Sequence, residues 1–265
     1  PNRQHALRWP YSTQAALAVW RTLYFRPADE QSVAALSSDR GAYLVRGLGH
    51  CSACHAARNA LGALRDEAAL GGAALPMQDW YAPSLSSPAE AGLAAWDTAR
   101  IVQLLKTGQA PGASVLGPMA EVVLNSTQHL KDADLQAMAA YLRSLPQAPP
   151  PQREPVRRDA ALMARGQGVY EQRCADCHGD DGRGVAGIYP ALAGNRAVTM
   201  DSPANVIAAI ASGGYPPATP GNPRPFGMPP FGHELTPDDL AAVTTYVRGS
   251  WGNDAPQVTP FDLTR

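Results

Sequence analysis

Two stretches, Cys51-Ser52-Ala53-Cys54-His55 and Cys174-Ala175-Asp176-Cys177-His178, constrain this chain more than anything else in its 265 residues. Each reads C-x-x-C-H, the spacing that attaches a c-type haem. The reason is mechanical. Two thiols three positions apart can each form a thioether to one of the two vinyl groups of a single porphyrin. The histidine that follows then sits under the iron as proximal ligand. The chain has only four cysteines, and the two motifs use all of them.

Other uses of paired cysteines fit less well. A four-cysteine zinc site would use the same pairs, but these lie 120 residues apart and each is followed by histidine. Zinc ribbons keep their pairs closer. A thioredoxin-like redox pair needs no histidine and would not occur twice. Disulfides within either motif would close very small rings. The motifs therefore predict two covalently bound haem c groups on Cys51 and Cys54, and on Cys174 and Cys177.

A length of 265 residues suits about two domains. With every cysteine committed to haem, cysteine usage does not report the redox compartment in the usual way. Haem c attachment does: in bacteria it takes place outside the cytoplasmic membrane, so a periplasmic protein is expected, with peripheral association at the outer face of that membrane. The chain begins at Pro1 with no leader pattern, which reads as a processed, trimmed or internal start. A formal net charge of −1 gives no argument for nucleic acid. Twenty-five prolines and twenty-four glycines predict many loops, which suits a protein whose core is partly porphyrin. No apolar run is long enough for a transmembrane helix.

Residues 1–36 read as a connecting segment. Leu17, Trp20, Leu23 and Tyr24 give the stretch 15–25 one apolar helical face. Packing against the first haem domain is the expectation, with an interfacial or docking helix as the alternative. Trp9-Pro10-Tyr11 reads as an extended lead-in. Residues 37–146 read as a first domain. Ser38 or Asp39 can cap a helix leading to the motif. Loops are expected at 80–85 and 112–119. A helix at 98–106 ends at Gly108. A closing helix at 132–145 carries Leu135, Met138, Ala139 and Leu142 on one face. Residues 147–158, with four prolines in twelve positions, read as a semi-rigid linker.

Residues 159–253 repeat the plan: a lead-in helix with Gly166 and Tyr170, the motif, a Tyr-Pro loop at 189–192, a middle helix at 203–211, and a proline-rich loop at 216–230. A last helix is capped by Thr236 with Pro237 at its first position. Residues 254–265 read as a tail. DLQAMAAYLRSL (134–145) and DLAAVTTYVRGS (239–250) share Asp, Leu, Ala, Tyr and Arg in register. One small haem-binding unit therefore occurs twice.

At this point the chain resembles a known family. Both halves resemble class I cytochrome c domains over residues 37–251. The stretches RGAYLVRGLGHCSACH (40–55), MAEVVLNSTQHLKDADLQAMAAYLRSLP (119–146), YPALAGN (189–195) and GNPRPFGMPPFGHELTPDDLAAVTTYVRGSWGN (221–253) are similar to the multihaem cytochrome subunits of bacterial membrane-bound dehydrogenases. Those of the quinoprotein alcohol dehydrogenases are best known. Related subunits serve molybdenum hydroxylases and flavin-dependent sugar dehydrogenases. The resemblance implies an all-α chain of two tandem, loop-rich helical domains, each around one haem c. Such subunits typically carry three haem domains. With two motifs here, either an upstream domain is missing from this chain or this is a two-haem relative.

The resemblance also places ligands. His55 and His178 are the proximal candidates, with the carbonyls of Pro83 and Pro190 accepting from their second ring nitrogens. Met228, in Gly227-Met228-Pro229-Pro230, and Met119, after Gly117-Pro118, are the distal candidates for the second and first haem. A thioether is a soft ligand that favours ferrous iron and raises the potential. Among the other methionines, Met138 falls on a core face, Met163 lies in a lead-in helix, and Met77 and Met200 each lie only 22 residues past a motif histidine. His50 is too close to Cys51 to reach the far side of that haem. His129 and His233 read as surface groups or neighbours of the ligands, and His5 is uninformative. Arg58 with Asn59, and Arg196 with Asn195, are candidates for haem propionates. Trp80, Trp96 and Tyr215 read equally as haem-packing or core aromatics.

Two haems with both axial positions filled can only take and pass electrons. The resemblance adds direction: from a dehydrogenase catalytic subunit, of quinoprotein, molybdenum or flavin type, to quinone, a small cytochrome or an oxidase. Catalysis is then expected in a partner chain. Two other readings stay open at this level. One is a dihaem enzyme of peroxidase or thiosulfate-oxidising type. The other is a free two-domain carrier, against which the long N-terminal segment argues.

Overall fold

A computed structural model of the chain describes residues 7–27, 29–65, 70–149 and 156–264. Half of the predicted linker, 150–155, and His5 lie outside the described residues. The architecture is helical, with two small two-stranded sheets.

The first half begins with α1 (Gln14–Tyr24), capped by Thr13, whose hydroxyl accepts from Ala16 N at 3.2 Å. The helix forms where its periodicity predicts, but none of its residues is buried. Leu17, Leu23 and Phe25 stand in solvent, and Trp20 holds the helix to the body by donating from Nε1 to Leu61 O at 2.9 Å. The expectation of a packed apolar face is therefore not met. Trp9-Pro10 forms a turn with a cis peptide rather than an extended lead-in.

After α2 (Glu30–Ser38), Asp39 caps α3 (Arg40–Ala42) by accepting from Ala42 N at 3.0 Å. The chain continues as a π-helix over Tyr43–Leu48 and enters the motif helix α4 (Ser52–His55). A hairpin of β1 (Ala73–Ala74) and β2 (Tyr81–Ala82) follows. Then come α5 (Thr98–Thr107), the hairpin of β3 (Gln109–Ala110) and β4 (Ala113–Ser114), α6 (Pro118–Asn125) and α7 (Asp132–Ser144). The stretch 112–119 is thus not one loop. It ends a hairpin and starts a helix, with Pro118 in the first turn, where the missing N–H costs nothing.

The second half has α8 (Ala160–Arg173), the motif helix α9 (Ala175–His178), α10 (Arg196–Thr199), α11 (Ala204–Ser212) and α12 (Pro237–Gly249). The predicted tail is not free. Ala255 and Val258 are buried, Val258 N donates to Thr245 Oγ1 at 2.9 Å, and Arg158 pairs with Asp254 at 2.7 Å.

The repeat has one structural cause in both halves: the lead-in and closing helices cross at a glycine. A Cβ on Gly41 would stand 2.2 Å from Ala137 O and 2.8 Å from Tyr141 Cβ. A Cβ on Gly166 would stand 2.2 Å from Ala242 O and 2.8 Å from Tyr246 Cβ. The arginine before each glycine pairs with the aspartate in the first turn of the closing helix of the same half, Arg40 with Asp134 and Arg165 with Asp239, both at 2.8 Å. The duplicated Asp, Ala and Tyr positions are therefore one helix-crossing device used twice. The apolar cores lie against these crossings. Leu135, Met138, Ala139 and Leu142 meet Leu44, Val45, Trp96 and Ile101 in the first half, and Leu240, Val243 and Val247 meet Tyr170, Val206 and Ile210 in the second.

The two halves touch directly. Asn205 Oδ1 accepts from Tyr81 N at 2.9 Å while its Nδ2 donates to Tyr81 O at 2.8 Å. Gln128 Nε2 donates to Ala218 O at 3.3 Å. Gly108, at φ +77°, leaves no room for a Cβ beside Pro217.

Candidate haem sites

Each site starts at the short helix made by the motif. In the first, His55 N donates back to Cys51 O at 2.9 Å. In the second, His178 N donates to Cys174 O at 2.9 Å. One helical turn brings both cysteines and the histidine to the same side of the chain.

The histidines share one polar environment. His55 Nδ1 lies 2.7 Å from Pro83 O, and His178 Nδ1 lies 3.0 Å from Pro190 O. A carbonyl can only accept, so each Nδ1 carries the proton and each Nε2 presents its lone pair. Burial pushes both imidazoles below the usual histidine range, against the opposing pull of the proline carbonyls. Both rings are therefore neutral near pH 7, in the form that ligates iron. The backbone closes the proline loops onto the motifs: Gly72 N donates to His55 O and Gly184 N to His178 O, each at 2.8 Å. Gly184, at φ +61°, packs so closely on the Tyr189 and Pro190 carbonyls that a side chain would displace them.

All four cysteines are free, and no group of three or more His, Cys, Asp or Glu side chains could hold a metal ion among the described residues. Burial pushes the Cys51 and Cys174 thiols up to about 11, far from the depressed values of reactive thiolates.

Met119 and Met228 are both half-buried on the core of their own half. Met228 is pinned by a two-bond bridge with Gly214, N to O at 2.8 Å and O from N at 2.9 Å. Gly227 before it rests on the Tyr215 ring, where an added Cβ would stand 2.5 Å from Cε1. Met119 lies in the first turn of α6, and Gly117 two positions earlier rests on the Trp80 ring in the same way. The aromatics Trp80 and Tyr215 thus back the two methionine segments. Met138 and Met200 are buried, Met163 is half-buried in α8, and Met77 is fully in solvent. His50, His129 and His233 are exposed.

The two arginine candidates part company. Arg58 is exposed and spends its guanidinium on Gly62 O at 2.8 Å and Ala53 O at 3.0 Å, bracing the turn after the motif. Asn59 works in the same turn, accepting from Leu61 N and Ala63 N. Asn195 caps α10 by accepting from Ala197 N. Arg196 leaves its own half altogether and donates to Gly92 O of the first half at 2.5 Å.

The implied haem can be tested against an orphaned buried atom. Trp96 is 3% exposed, and its Nε1–H has no hydrogen-bond partner. A buried donor without an acceptor is costly and rare. A haem carboxylate beside the first site would supply the missing acceptor, so the residues present fit the group.

A covalent-haem motif on a short helix, a carbonyl-tethered neutral imidazole and a helix crossing at glycine define a c-type cytochrome domain. The cytochrome c family model matches residues 38–146 and 163–251, and the chain belongs to that family. It is 38% identical over 272 residues to the alcohol dehydrogenase (quinone) cytochrome c subunit of Gluconobacter oxydans (strain 621H), covering 96% of this chain and 57% of that protein. It is 33% identical over 275 residues to the gluconate 2-dehydrogenase cytochrome c subunit of Pantoea cypripedii, covering 96% and 62%. It is 33% identical over 283 residues to the fructose dehydrogenase cytochrome subunit of Gluconobacter japonicus, covering 96% and 57%. The chain thus spans about 60% of the length of these curated relatives.

Proposed function

We propose that the chain is a dihaem electron-transfer unit that accepts electrons from a dehydrogenase catalytic subunit and passes them to quinone or a respiratory acceptor, in the periplasm at the outer face of the cytoplasmic membrane. The observation that carries this reading is the pairing, in each half, of a neutral imidazole tethered through Nδ1 with a glycine-anchored methionine segment. When bound, haem c supplies a one-electron couple. The chain's own residues do the rest. Cys51, Cys54, Cys174 and Cys177 would hold the porphyrins, His55 and His178 would offer Nε2 to the irons, and Pro83 and Pro190 would orient the imidazoles. Met119 and Met228 would offer the second ligand at each iron, an arrangement suited to electron transfer rather than to peroxide or thiosulfate chemistry.

The names of the relatives support a dehydrogenase partner, and the exposed apolar face of α1 supports a subunit over a free carrier. The test is spectroscopic. Met119→Ala and Met228→Ala are each expected to convert one of two low-spin haems to high spin and to remove half of the near-infrared Met–iron band. An unchanged spectrum in either variant rejects that ligand. Rapid cyanide binding by the unmodified ferric protein favours the dihaem-enzyme alternative. Purification from native membranes with no dehydrogenase attached rejects the subunit reading.

A further inference from the structure

At the seam between the halves, cationic and N–H donors converge, and among the described residues no carboxylate side chain pairs with them. Trp96 sits at the centre, buried, with its indole Nε1–H unpartnered. The Arg100 guanidinium stacks over the indole at 3.6 Å from its centroid. It donates to Pro111 O, but its buried Nε has no acceptor. Arg196 comes from the other half and lies 5.1 Å from the same centroid. Neither arginine forms an ion pair among the described residues. Burial and then the like charge of Arg100 push the Arg196 guanidinium below its ordinary range. Two near cations and a buried N–H, gathered at one indole, are the donor set of a carboxylate.

We propose that Arg196, a residue of the second half, belongs to the carboxylate site of the first half's haem. A propionate of the haem on Cys51 and Cys54 then accepts from Trp96 Nε1 and Arg100 Nε, and Arg196 supplies countercharge across the seam. The source of the carboxylate follows from burial: an indole N–H shut off from solvent is reached by a group carried inside the first half, not by a free acid. The inference rests on the haem reading of the first site. It reverses the order expected from sequence, in which Arg196 serves the haem nearest to it in the chain.

The consequence is that the first haem's potential depends on the second half being docked. A cation beside a propionate disfavours the ferric state, so its removal lowers the potential. The test is a spectroelectrochemical titration of the full dihaem chain. Met119→His and Met228→His, each lowering one wave, assign the two waves. Arg196→Gln is expected to lower the wave assigned by Met119→His by about tenfold in the ferric–ferrous equilibrium, about 59 mV for a one-electron couple. The other wave stays in place, and Arg196→Lys recovers most of the shift. Trp96→Phe keeps the ring and removes the N–H, and it moves the same wave the same way. Movement of the second wave instead, or of neither, overturns the proposal. A haem assay finding no haem on Cys51 and Cys54 rejects the underlying haem reading, a result separate from an unmoved wave in a dihaem chain.

Discussion

At the scale of single residues, the duplicated halves are less alike than their sequences. Arg143 and Arg248 occupy the same register position of the closing helices. Arg143 is exposed and donates to Thr98 Oγ1 at 3.1 Å. Arg248 is 1% exposed and donates to the carbonyls of Val198, Asp201, Ser202 and Pro256 at 3.0–3.4 Å. Those bonds tie the loop after α10 and the C-terminal segment to α12. Charged donors to buried carbonyls contribute about 1.5–3 kcal/mol each, and carbonyls left unpaired cost about as much again. Arg248→Met is therefore expected to destabilise the protein by at least about 3 kcal/mol, and Arg143→Met by less than about 0.5 kcal/mol. Denaturant titrations of the two variants check this, and equal losses contradict it.

At the scale of elements, the helix crossings control the fold. Gly166→Ala places a methyl 2.2 Å from Ala242 O, on backbone that cannot step aside cheaply. The helices must separate, at about 1–3 kcal/mol. The same change at Gly168, where no atom lies within 4 Å, is expected to be neutral or stabilising, since alanine is the better helix former. Thermal melts of the pair decide between a steric and a propensity effect. The ion pairs beside the crossings act on pH. Arg165, and then the Thr236 hydroxyl, hold the Asp239 carboxyl below the usual carboxylate range, and Arg40 does the same for Asp134. Both aspartates bind a proton more readily when unfolded, near about 3.9. Their contribution is therefore complete above about pH 4 and is lost as pH falls through the depressed folded values. Arg165→Gln is expected to lower the neutral-pH midpoint slightly, because the pair is solvent-screened, and to leave the acid-end midpoint unchanged, so that the fall below about pH 4 becomes shallower by that amount. A fall as steep as that of the unmodified protein rules this out.

These elements also mark what could be read in advance. The motifs, the repeat, and helices α5, α7 and α12 follow from local spacing and caps, so they were legible. Helix α6 was not, because Gly117-Pro118 reads as loop, although proline is equally suited to a first helical turn. The turn at Pro111-Gly112 hid a hairpin for the same reason. The first half has ten residues from its crossing glycine to its first motif cysteine and the second has eight. The longer lead-in is wound as a π-helix over Tyr43–Leu48 and reaches Cys51 through His50 at φ +47°. No local pattern announces that. The place of Arg196 was illegible in principle, since its contacts are with residues a hundred positions away.

At the scale of the whole molecule, two cytochrome c halves joined only by a linker would tumble apart and vary their separation. The docked arrangement replaces that freedom with a fixed one, and Tyr81 is where it is most specific. Asn205 answers both the N–H and the carbonyl of Tyr81, as a neighbouring strand would. An amide carries its acceptor and its donor on separate atoms, which lets it meet a backbone N–H and a carbonyl together. Asn205→Asp keeps the acceptor, deletes the donor, and faces the Tyr81 carbonyl with an anion. Each such bond contributes about 1 kcal/mol, and the unpaired carbonyl costs about 1–3 kcal/mol more. That is enough to raise the undocked population substantially without unfolding either half, whose own crossings at Gly41 and Gly166 are untouched. Hydrogen–deuterium exchange is the direct reading. Peptides around Tyr81 and Gly92, and around Arg196 to Asn205, are expected to exchange faster in Asn205→Asp, while those in α7 and α12 keep their protection. Faster exchange throughout would mean that the halves do not fold independently of their docking. No change at Tyr81 would mean that the remaining seam, Gly108 against Pro217 and Gln128 on Ala218, suffices to hold the halves together.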